Sequence, residues 1–311
     1  MLTFLRRRTL TSLPPLLAVV LGVFVLARLT GDPAALYLPE NATAQAREQF
    51  SAAHGFDQPI WSQLIDYLAQ VTRLDFGTSL RTGEPAAVMA LRAFPATLQL
   101  AVVTMLLACA VATAVGCWAA LRPNGLGDRI SSLMSMTAAS VPDFWLAILG
   151  IWVFSIMLGV LPTSGVDAGG LSWVLPIAVL MLRPAGVLTQ VVRGAMIAAL
   201  GSPYVKVARS KGAGERRVVV RHALKNAAPP ALTVAGDLAV GLINGAVVVE
   251  SIFGWPGIGK LMIDSILQRD FAVLQAAVAI TAISIFVLNI GIDLGYALLD
   301  SRVRQKVGAA A

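Results

Sequence analysis

The chain has 311 residues, of which 57% are hydrophobic and only 13% are charged, and its formal net charge at pH 7 is +7. Soluble globular domains carry about 25% charged residues, so this composition excludes an ordinary soluble protein and indicates an integral membrane protein. The excess of basic residues is then a topology signal, and nucleic-acid binding is the less favoured interpretation of it.

Six apolar stretches are long enough to cross the hydrocarbon core of a bilayer as helices, which takes about 20 residues each. They cover residues 10–29, 98–121, 134–161, 171–192, 231–253 and 273–299. The first follows three Arg residues and is similar to a signal peptide, but its apolar core is too long and no clear cleavage site follows it. We therefore predict an all-α membrane protein with six transmembrane helices, the first of which is retained.

Basic residues mark one side of the predicted bundle. Three Arg residues precede the first span, two follow the second, and seven Lys and Arg residues lie in the loop after the fourth, whereas residues 31–95 carry seven acidic residues and four Arg. Because basic flanks stay cytoplasmic, we expect both termini and the basic loop in the cytoplasm. The predicted parts are 1–30 (amino terminus and first span), 31–96 (external helical segment) and 97–311 (five-helix core with a cytoplasmic loop at 193–231).

Two short helices are predicted in the external segment, over residues 43–53 and 60–71, with a turn containing Gly and Pro between them. In the second helix, apolar residues recur at helical spacing and form one face. They are Ile60, Trp61, Leu64, Ile65 and Leu68. This face requires cover, most simply from the outer mouth of the bundle.

The sequence contains few of the side chains, Cys and His, that usually bind transition metals. Cys109 and Cys117 fall within the second span, eight residues apart on roughly one helical face, where a disulfide is geometrically excluded. His54 and His222 are predicted on opposite sides of the membrane. We therefore predict that this chain holds no metal.

The basic loop after the fourth span carries helix start and stop signals. Ser202 suits an N-cap, Pro203 the first helical position, and Gly212 the left-handed residue just beyond the end of a short helix. A helix of that length is marginal alone and must be held by packing. A second helix is predicted from about residue 215 to 228, where Pro229-Pro230 would stop it.

A basic stripe is predicted on this second helix, because Arg217, Arg221 and Lys225 recur at i, i+4 and i+8. One interpretation of the stripe is a topology signal combined with attraction to anionic lipid headgroups. The other interpretation is a docking surface for a cytoplasmic protein.

The loop resembles the coupling loop of the permease subunits of bacterial ABC importers, specifically the dipeptide/oligopeptide/nickel group. In the "EAA" motif of that family an alanine, a glycine four residues later and a following basic helix fit a cleft on the ATPase subunit, and Ala208 and Gly212 match it. Lys206 and Val207 stand where the wider pattern has Glu and Ala. The resemblance assigns the ATPase contact to Tyr204, Val205, Ala208, Arg209, Lys211, Gly212, Arg217 and Arg221.

Other stretches resemble the same family. Residues 250–259 are similar to its E-x-x-F-x-x-P-G-x-G signature, and residues 289–302 to its N-x-x-x-D-x-x-Y-x-x-x-D-P-R ending, with Ser301 in place of Pro. Residues 74–79 and 140–145 resemble its external loop and the entry to its third span. The matched signature positions are Glu250, Phe253, Pro256, Gly257, Gly259, Asn289, Asp293, Asp300 and Arg302.

The resemblance implies a type I ABC importer permease bundle (MetI-like) in the bacterial cytoplasmic membrane. It implies a second, homologous permease subunit that forms a heterodimer with this chain. It also implies two ATPase subunits or one heterodimeric ATPase, which use ATP and Mg²⁺, and an external substrate-binding protein. Di- and oligopeptides are the predicted cargo. The alternatives are nickel or a metal chelate and, outside the family, an ion-coupled secondary transporter.

One motif argues for nucleotide binding and is rejected on its chemistry. Residues 254–260 spell G-x-x-x-x-G-K, but Leu261 occupies the Ser/Thr position that should hold Mg²⁺. The motif also follows a predicted membrane helix on the external side, where ATP is absent. We interpret it as a tight turn. The chain is therefore predicted to be non-catalytic and to bind no cofactor of its own.

Polar groups within the spans are costly, so they usually face a cavity or one another. Asp143, Asp237 and Asn244 are predicted to line a translocation path, with structural pairing as the alternative. Packing and turn roles are favoured for Glu250 and Asp293. Arg183 could pair with an intramembrane Asp.

Overall fold

The computed structural model describes residues 14, 17–18, 20–22, 24–25, 38, 42–53, 55, 57–79 and 81–299, the side chains of residues 293 and 296–299 excepted. This part of the chain is helical, and its only strand-like pairing is an isolated bridge between Thr78 and Pro85. The helices in chain order are α1 (Ala44–Ala53), α2 (Ile60–Thr72), α3 (Ala86–Ala120), α4 (Leu126–Ser140), α5 (Asp143–Met157), α6 (Leu171–Leu200), α7 (Pro203–Ser210), α8 (Glu215–Ile252), α9 (Ile258–Leu267) and α10 (Phe271–Leu299).

Four of these helices, α3, α6, α8 and α10, are long and apolar enough to cross a membrane, and α4 with α5 makes a fifth candidate as a bent pair. The first predicted span, residues 10–29, lies largely outside the described residues. The all-α architecture predicted from the sequence is confirmed for the described residues. The bounds of α10 agree closely with the sixth predicted span, whereas α3 and α6 are longer than the second and fourth.

The third predicted span, residues 134–161, is not one straight helix but falls on the bent pair α4 and α5. The axes of α4 and α5 differ by 100°, and the break falls at Val141 and Pro142. Val141 is extended (φ −85°, ψ 133°), because the ring of a following proline disfavours the helical conformation. The break places Asp143 in the first turn of α5.

The prediction that Pro229-Pro230 ends a helix is also wrong. Helix α8 runs through both prolines from Glu215 to Ile252, with a π-helical stretch at Val218–Ala223. Side chains supply hydrogen bonds along this region: Asn226 Nδ2 donates to the His222 carbonyl (2.7 Å), and Thr233 Oγ1 donates to the Pro229 carbonyl (3.1 Å). The carbonyls that lose an N–H donor to the two prolines are those of Lys225 and Asn226, and these side-chain bonds do not reach them. Membrane helices tolerate interior prolines when neighbouring groups satisfy such carbonyls.

The chain forms two compact units, one of Met1–Ala96 with Pro256–Ile290 and one of Thr97–Trp255 with Gly291–Ala311. The first unit groups residues 256–290 with the amino-terminal part, which the division of the sequence into 1–30, 31–96 and 97–311 did not anticipate. That division stays a prediction.

In the first unit, the two short helices predicted over residues 43–53 and 60–71 form, but the apolar face of α2 is only partly covered. Tyr67 stacks on Phe24 at a centroid distance of 5.3 Å, and Leu64 and Leu68 pack against the same cluster. Burial raises the pKa of the Tyr67 phenol to about 12. Trp61, in contrast, is 72% exposed and Ile65 67% exposed, so the described residues leave that half of the face uncovered.

A buried clasp holds the segment before α3 in the same unit. The Ser79 hydroxyl donates to the Asp270 carboxylate at 2.5 Å, and both residues are almost fully buried. The backbone N–H groups of Arg81 and Thr82 donate in turn to Ser79 Oγ, at 3.3 and 3.1 Å. The clasp gives a structural reason for the serine of the family-like stretch at residues 74–79.

In the second unit, α6 packs closely against α3, α4 and α8. Its contacts depend on small residues: a Cβ at Gly186 would lie 2.6 Å from the Ser135 carbonyl oxygen of α4. A Cβ at Gly116 of α3 would lie 2.9 Å from the Val192 side chain. Small residues let membrane helices approach closely, where van der Waals contact replaces the hydrophobic driving force of water.

We expect Ser79→Ala to lower the free energy of unfolding by about 1–3 kcal/mol, because the buried Asp270 carboxylate loses a hydrogen-bond donor. Thermal melting of the purified chain measures the change. Ser62→Ala is the matched control, since the Ser62 hydroxyl is exposed and bonds only to Gln58. Equal melting shifts for the two variants would show that the clasp contributes nothing.

Candidate functional site

Helix α7 is the short polar helix that the sequence places after the fourth span. It begins as predicted, with extended Ser202 at the N-cap position and Pro203 at N1. The Ser202 side chain makes no cap, however, because its hydroxyl donates to the Ala199 carbonyl at 2.5 Å. Val205 is fully buried and holds the helix to the rest of the chain.

The end of α7 explains the spacing of Ala208 and Gly212. Gly212 is left-handed (φ +81°), its N–H donates to the Arg209 carbonyl (2.9 Å), and the Ala213 N–H donates to the Ala208 carbonyl (3.1 Å). These two bonds are those of a Schellman motif, in which the alanine and the glycine occupy fixed positions. The predicted left-handed role of Gly212 is confirmed.

A bidentate ion pair spans this turn. Arg209 donates to both Glu215 oxygens, at 2.6 and 3.2 Å, and joins α7 to the first turn of α8. The hydrogen bonds to Glu215 raise the pKa of the Arg209 guanidinium above its ordinary value. Arg209 is therefore a bridge within the loop as well as an exposed cation.

The predicted coupling residues differ in how far their side chains are buried. Val205 faces inward, and Ala208 is half-buried. The exposed set forms a continuous polar surface, which we call the coupling surface: Tyr204, Arg209, Lys211, Gly212, Arg217 and Arg221. The π-helical stretch alters the regular i, i+4 spacing of the stripe but leaves its basic residues exposed.

Sequence reasoning missed a charge pair between α4 and α6. Asp128, in the first turn of α4 and almost fully buried, accepts hydrogen bonds from Arg193 Nε and from Arg193 Nη2, the latter at 2.7 Å. The Asn124 N–H donates to the same carboxylate at 2.8 Å. Arg193 lies on α6, seven residues before its end. An Arg within an apolar span was the available signal, since such a charge requires a partner.

The predicted path residues lie around one face of α8. Asp237, Gly241, Asn244 and Gly245 are exposed and recur at helical spacing. The Asp143 carboxylate faces this helix, with Oδ2 3.8 Å from the position of a Cβ on Gly245. The structure therefore brings Asp143 next to Gly245 and its neighbour Asn244, while Asp237 lies about 10 Å further along the helix axis.

Asp143 and Arg183 have opposite charges within the second unit, but they form no ion pair. Among the residues that the structure describes, neither side chain makes a hydrogen bond, and Asp143 Oδ1 is buried. Arg183 is exposed on α6. A buried carboxylate oxygen without a donor is costly, so the Asp143 site needs a polar partner that the described part of the chain does not supply.

The signature after α8 forms a buried turn. Glu250 and Phe253 are buried, the Trp255 N–H donates to the Glu250 carbonyl (2.8 Å), and the Trp255 ring packs edge-on against Trp173 at 4.6 Å. Gly254 is left-handed (φ +62°), as a tight turn requires. These contacts agree with a packing and turn role.

The rest of this signature starts a new helix. Pro256 follows the turn, Gly257 is the N-cap of α9, and Gly259 is buried in its first turn. Lys260 makes an i, i+4 ion pair with Asp264 at 2.5 Å. In the ending motif, Asn289 donates to the Ile285 carbonyl at 3.0 Å. The Asp293 side chain, Asp300 and Arg302 lie outside the described residues.

A helical bundle with several apolar spans and a rigidly capped polar helix between two of them has the architecture of an ABC transporter permease. The chain belongs to the family of binding-protein-dependent transport system inner membrane components, whose pattern matches residues 112–305. Members of this family are the non-catalytic membrane part of the transporter. Partner ATPase subunits hydrolyse ATP, and a substrate-binding protein delivers the solute.

Full-length relatives support the assignment. The chain is 35% identical to the oligopeptide transport system permease protein AppB of Bacillus subtilis (strain 168), over 97% of this chain and 99% of the relative. It is also 35% identical to the glutathione transport system permease protein GsiC of Escherichia coli (strain K12), over 98% of this chain and 100% of the relative.

Solved structures share the fold at low sequence identity. The MetNI methionine ABC transporter, in inward-facing crystal forms, matches with a TM-score of 0.57 at 16% identity, over 68% of this chain and 96% of that chain. An amino acid ABC transporter with histidines matches with a TM-score of 0.50 at 16% identity, over 67% and 92%. At this identity the likeness shows the fold alone.

We expect Asp128→Asn to lower the melting temperature of the purified chain by several degrees, because Arg193 loses its anionic partner while Asn keeps the size of the side chain. Asp167→Asn is the matched control, since Asp167 is an exposed loop residue. If both substitutions change the melting temperature equally, the ion pair does not stabilise the fold.

Proposed function

We propose that this chain is one permease subunit of an ATP-driven importer of di- or oligopeptides. The observation that carries the proposal is the match to an oligopeptide permease and to glutathione permeases over nearly the whole of both chains. Relatives matched from end to end share the spans that form the solute path as well as the loop that contacts the ATPase. Glutathione is itself a small peptide, so both named cargoes belong to one chemical class.

The proposed assembly contains a second, homologous permease subunit that pairs with this chain, and two ATPase subunits or one heterodimeric ATPase against the coupling surface. Both termini and the coupling surface face the cytoplasm, in agreement with the distribution of basic residues. The substrate-binding protein docks on the opposite side of the membrane.

In the proposed coupling step, closure of the ATPases moves α7 and the start of α8 together. The Schellman turn at Gly212 and the Arg209–Glu215 ion pair favour this joint motion, because they fix α7 relative to α8. Val205 anchors α7 inside the chain, which leaves Tyr204, Lys211 and the basic stripe for contact with the ATPase. ATP hydrolysis elsewhere would thereby switch the spans between outward-facing and inward-facing states.

The proposed solute path runs along the exposed face of α8. Small and polar residues there, Gly241, Asn244 and Gly245, leave room for a hydrated solute. Asp143 supplies a carboxylate beside this face, with Oδ2 3.8 Å from the position of a Cβ on Gly245, and its negative charge suits the ammonium group of a peptide. The second permease subunit would complete the wall of the path.

Reconstitution into proteoliposomes tests the proposed function. The full complex, with binding protein outside and ATP inside, should accumulate a labelled dipeptide, whereas this chain alone under a proton or Na⁺ gradient should accumulate none. Uptake by the chain alone would establish a secondary transporter. Uptake of nickel without peptide uptake by the same complex would assign the cargo to metal instead.

We expect Gly212→Ser to reduce ATP-dependent uptake severalfold, because a side chain in the left-handed conformation costs about 1–2 kcal/mol and loosens the end of α7. Gly214→Ser is the matched control: Gly214 is also exposed in this loop but has φ −63°, and serine suits its N-cap position. Membrane abundance should be unchanged in both. Normal uptake by the Gly212 variant would refute the role of the capped loop.

We expect Gly241→Leu and Gly245→Leu to block uptake while ATP hydrolysis continues, because each places an isobutyl group on the proposed path face of α8. Nothing lies within 4 Å of a Cβ at Gly241, so the leucine fits without disturbing the fold. Gly291→Leu on α10, with equally open surroundings, is the control. Undiminished peptide uptake by both α8 variants would place the path elsewhere.

A further inference from the structure

A pocket of about 560 Å³ lies where α3 ends and α4 begins. Trp118, Leu121 and Arg122 line it from the α3 side, and Leu126 and Gly127 from α4. A Cβ at Gly127 would lie 2.5 Å from Trp118 Cη2, so the indole rests directly on the helix backbone. This close approach fixes the ring as one wall of the pocket.

The uncompensated charge at this pocket is positive. Asp128 contributes to the lining, but its carboxylate is almost fully buried and already accepts hydrogen bonds from Arg193 and from the Asn124 N–H. Arg122 and Arg129 are exposed, and among the described residues neither side chain donates a hydrogen bond or forms an ion pair. Of the two, Arg122 lines the pocket, so its guanidinium is available to an anion there, and Arg129 follows the lining residue Asp128 in the sequence.

The surroundings of the pocket are apolar. Trp118 is 60% exposed and Leu126 80% exposed, and Leu121 and Ile130 are exposed beside them. The indole lies in the last turn of α3, a helix long and apolar enough to cross the membrane. Tryptophan beside exposed aliphatic residues and arginine is typical of the depth at which lipid headgroups meet the acyl chains.

We propose that this pocket binds the headgroup of an anionic phospholipid. The phosphate accepts hydrogen bonds from Arg122, with Arg129 close by, the Trp118 indole packs at the level of the glycerol, and the acyl chains follow Leu121 and Leu126. The bound lipid lies beside the Asp128–Arg193 ion pair, on the part of α6 that leads into α7. Basic pockets between membrane helices recognise anionic headgroups in this way.

Native mass spectrometry of the full-length, delipidated chain tests the proposal, with phosphatidylglycerol and phosphatidylcholine as probes. The wild-type chain should retain phosphatidylglycerol in preference to phosphatidylcholine. Arg122→Gln should weaken phosphatidylglycerol binding about fivefold, the effect of one basic residue at a charged membrane surface. Trp118→Ala should weaken both lipids. Arg216→Gln removes an equally exposed charge from the coupling loop and should leave binding unchanged.

Three results would overturn the proposal: no preference for the anionic lipid, equal losses for Arg122→Gln and Arg216→Gln, or displacement of the lipid by equimolar pyrophosphate. The last would assign the pocket to a soluble phosphate compound. Melting temperatures in phosphatidylcholine verify that the variants fold. A photoactivatable phosphatidylglycerol bound to the wild-type chain gives an independent readout, and it should label residues between 118 and 130. Labelling confined to other regions would exclude the site.

Discussion

Hydrocarbon offers no hydrogen-bond partner, so every polar group of a membrane-spanning chain must be satisfied within the protein or face a hydrated path. This constraint accounts for the main features of the bundle. Asp128 and Arg193 neutralise each other between α4 and α6. Asn226 and Thr233 donate side-chain hydrogen bonds to backbone carbonyls on either side of the proline pair of α8. Asp143 Oδ1 has no donor among the described residues, as is also true of the buried polar atoms of Thr104, Gln190 and Thr281, but it is the charged member of this group and lies next to the proposed path.

The same constraint separates two kinds of surface on one chain. Within the bundle, glycine and other small residues bring helices into direct contact, as Gly186 does against Ser135. At the coupling surface, water is available, so charged side chains remain exposed and local motifs supply the order. The Schellman turn at Gly212 needs only backbone groups, and the Arg209–Glu215 ion pair reinforces it. A helix too short to be stable alone thereby keeps a defined orientation.

Sequence reasoning succeeded where structure depends on neighbouring residues. The start of α7 at Pro203, the left-handed Gly212 and the two external helices follow from local signals, and the structure confirms them. Proline was the principal source of error. Pro142 breaks a predicted span, whereas Pro229 and Pro230 stop nothing. Whether a proline ends a helix depends on whether other groups satisfy the backbone carbonyl that the proline leaves without a donor. The local conformation and the packing of the helix decide this. The pattern of apolar residues in the sequence contains no information about either.

The candidate site could be predicted only in part, because some of its contacts join residues that are distant in the sequence. The family resemblance predicts which residues contact the ATPase, but it could not distinguish the buried Val205 from its exposed neighbours. The pairing of Asp128 with Arg193 joins residues far apart in the sequence, and no local pattern encodes it. Asp143 was identified from its charge alone, whereas its position next to Gly245 follows from the break before α5 and the packing of α5 on α8.

The two consecutive prolines within α8 have a mechanical consequence. Each lacks the N–H that would close one backbone hydrogen bond, so bending α8 there meets less resistance than bending it elsewhere. The prolines lie between the segment of α8 joined to α7 and the segment that carries Asp237 and Asn244. The prolines therefore form a flexible point between two segments of α8. A displacement of the segment joined to α7 would change the tilt of the segment that carries Asp237 and Asn244. Such a change of tilt would widen the proposed path at one end and narrow it at the other.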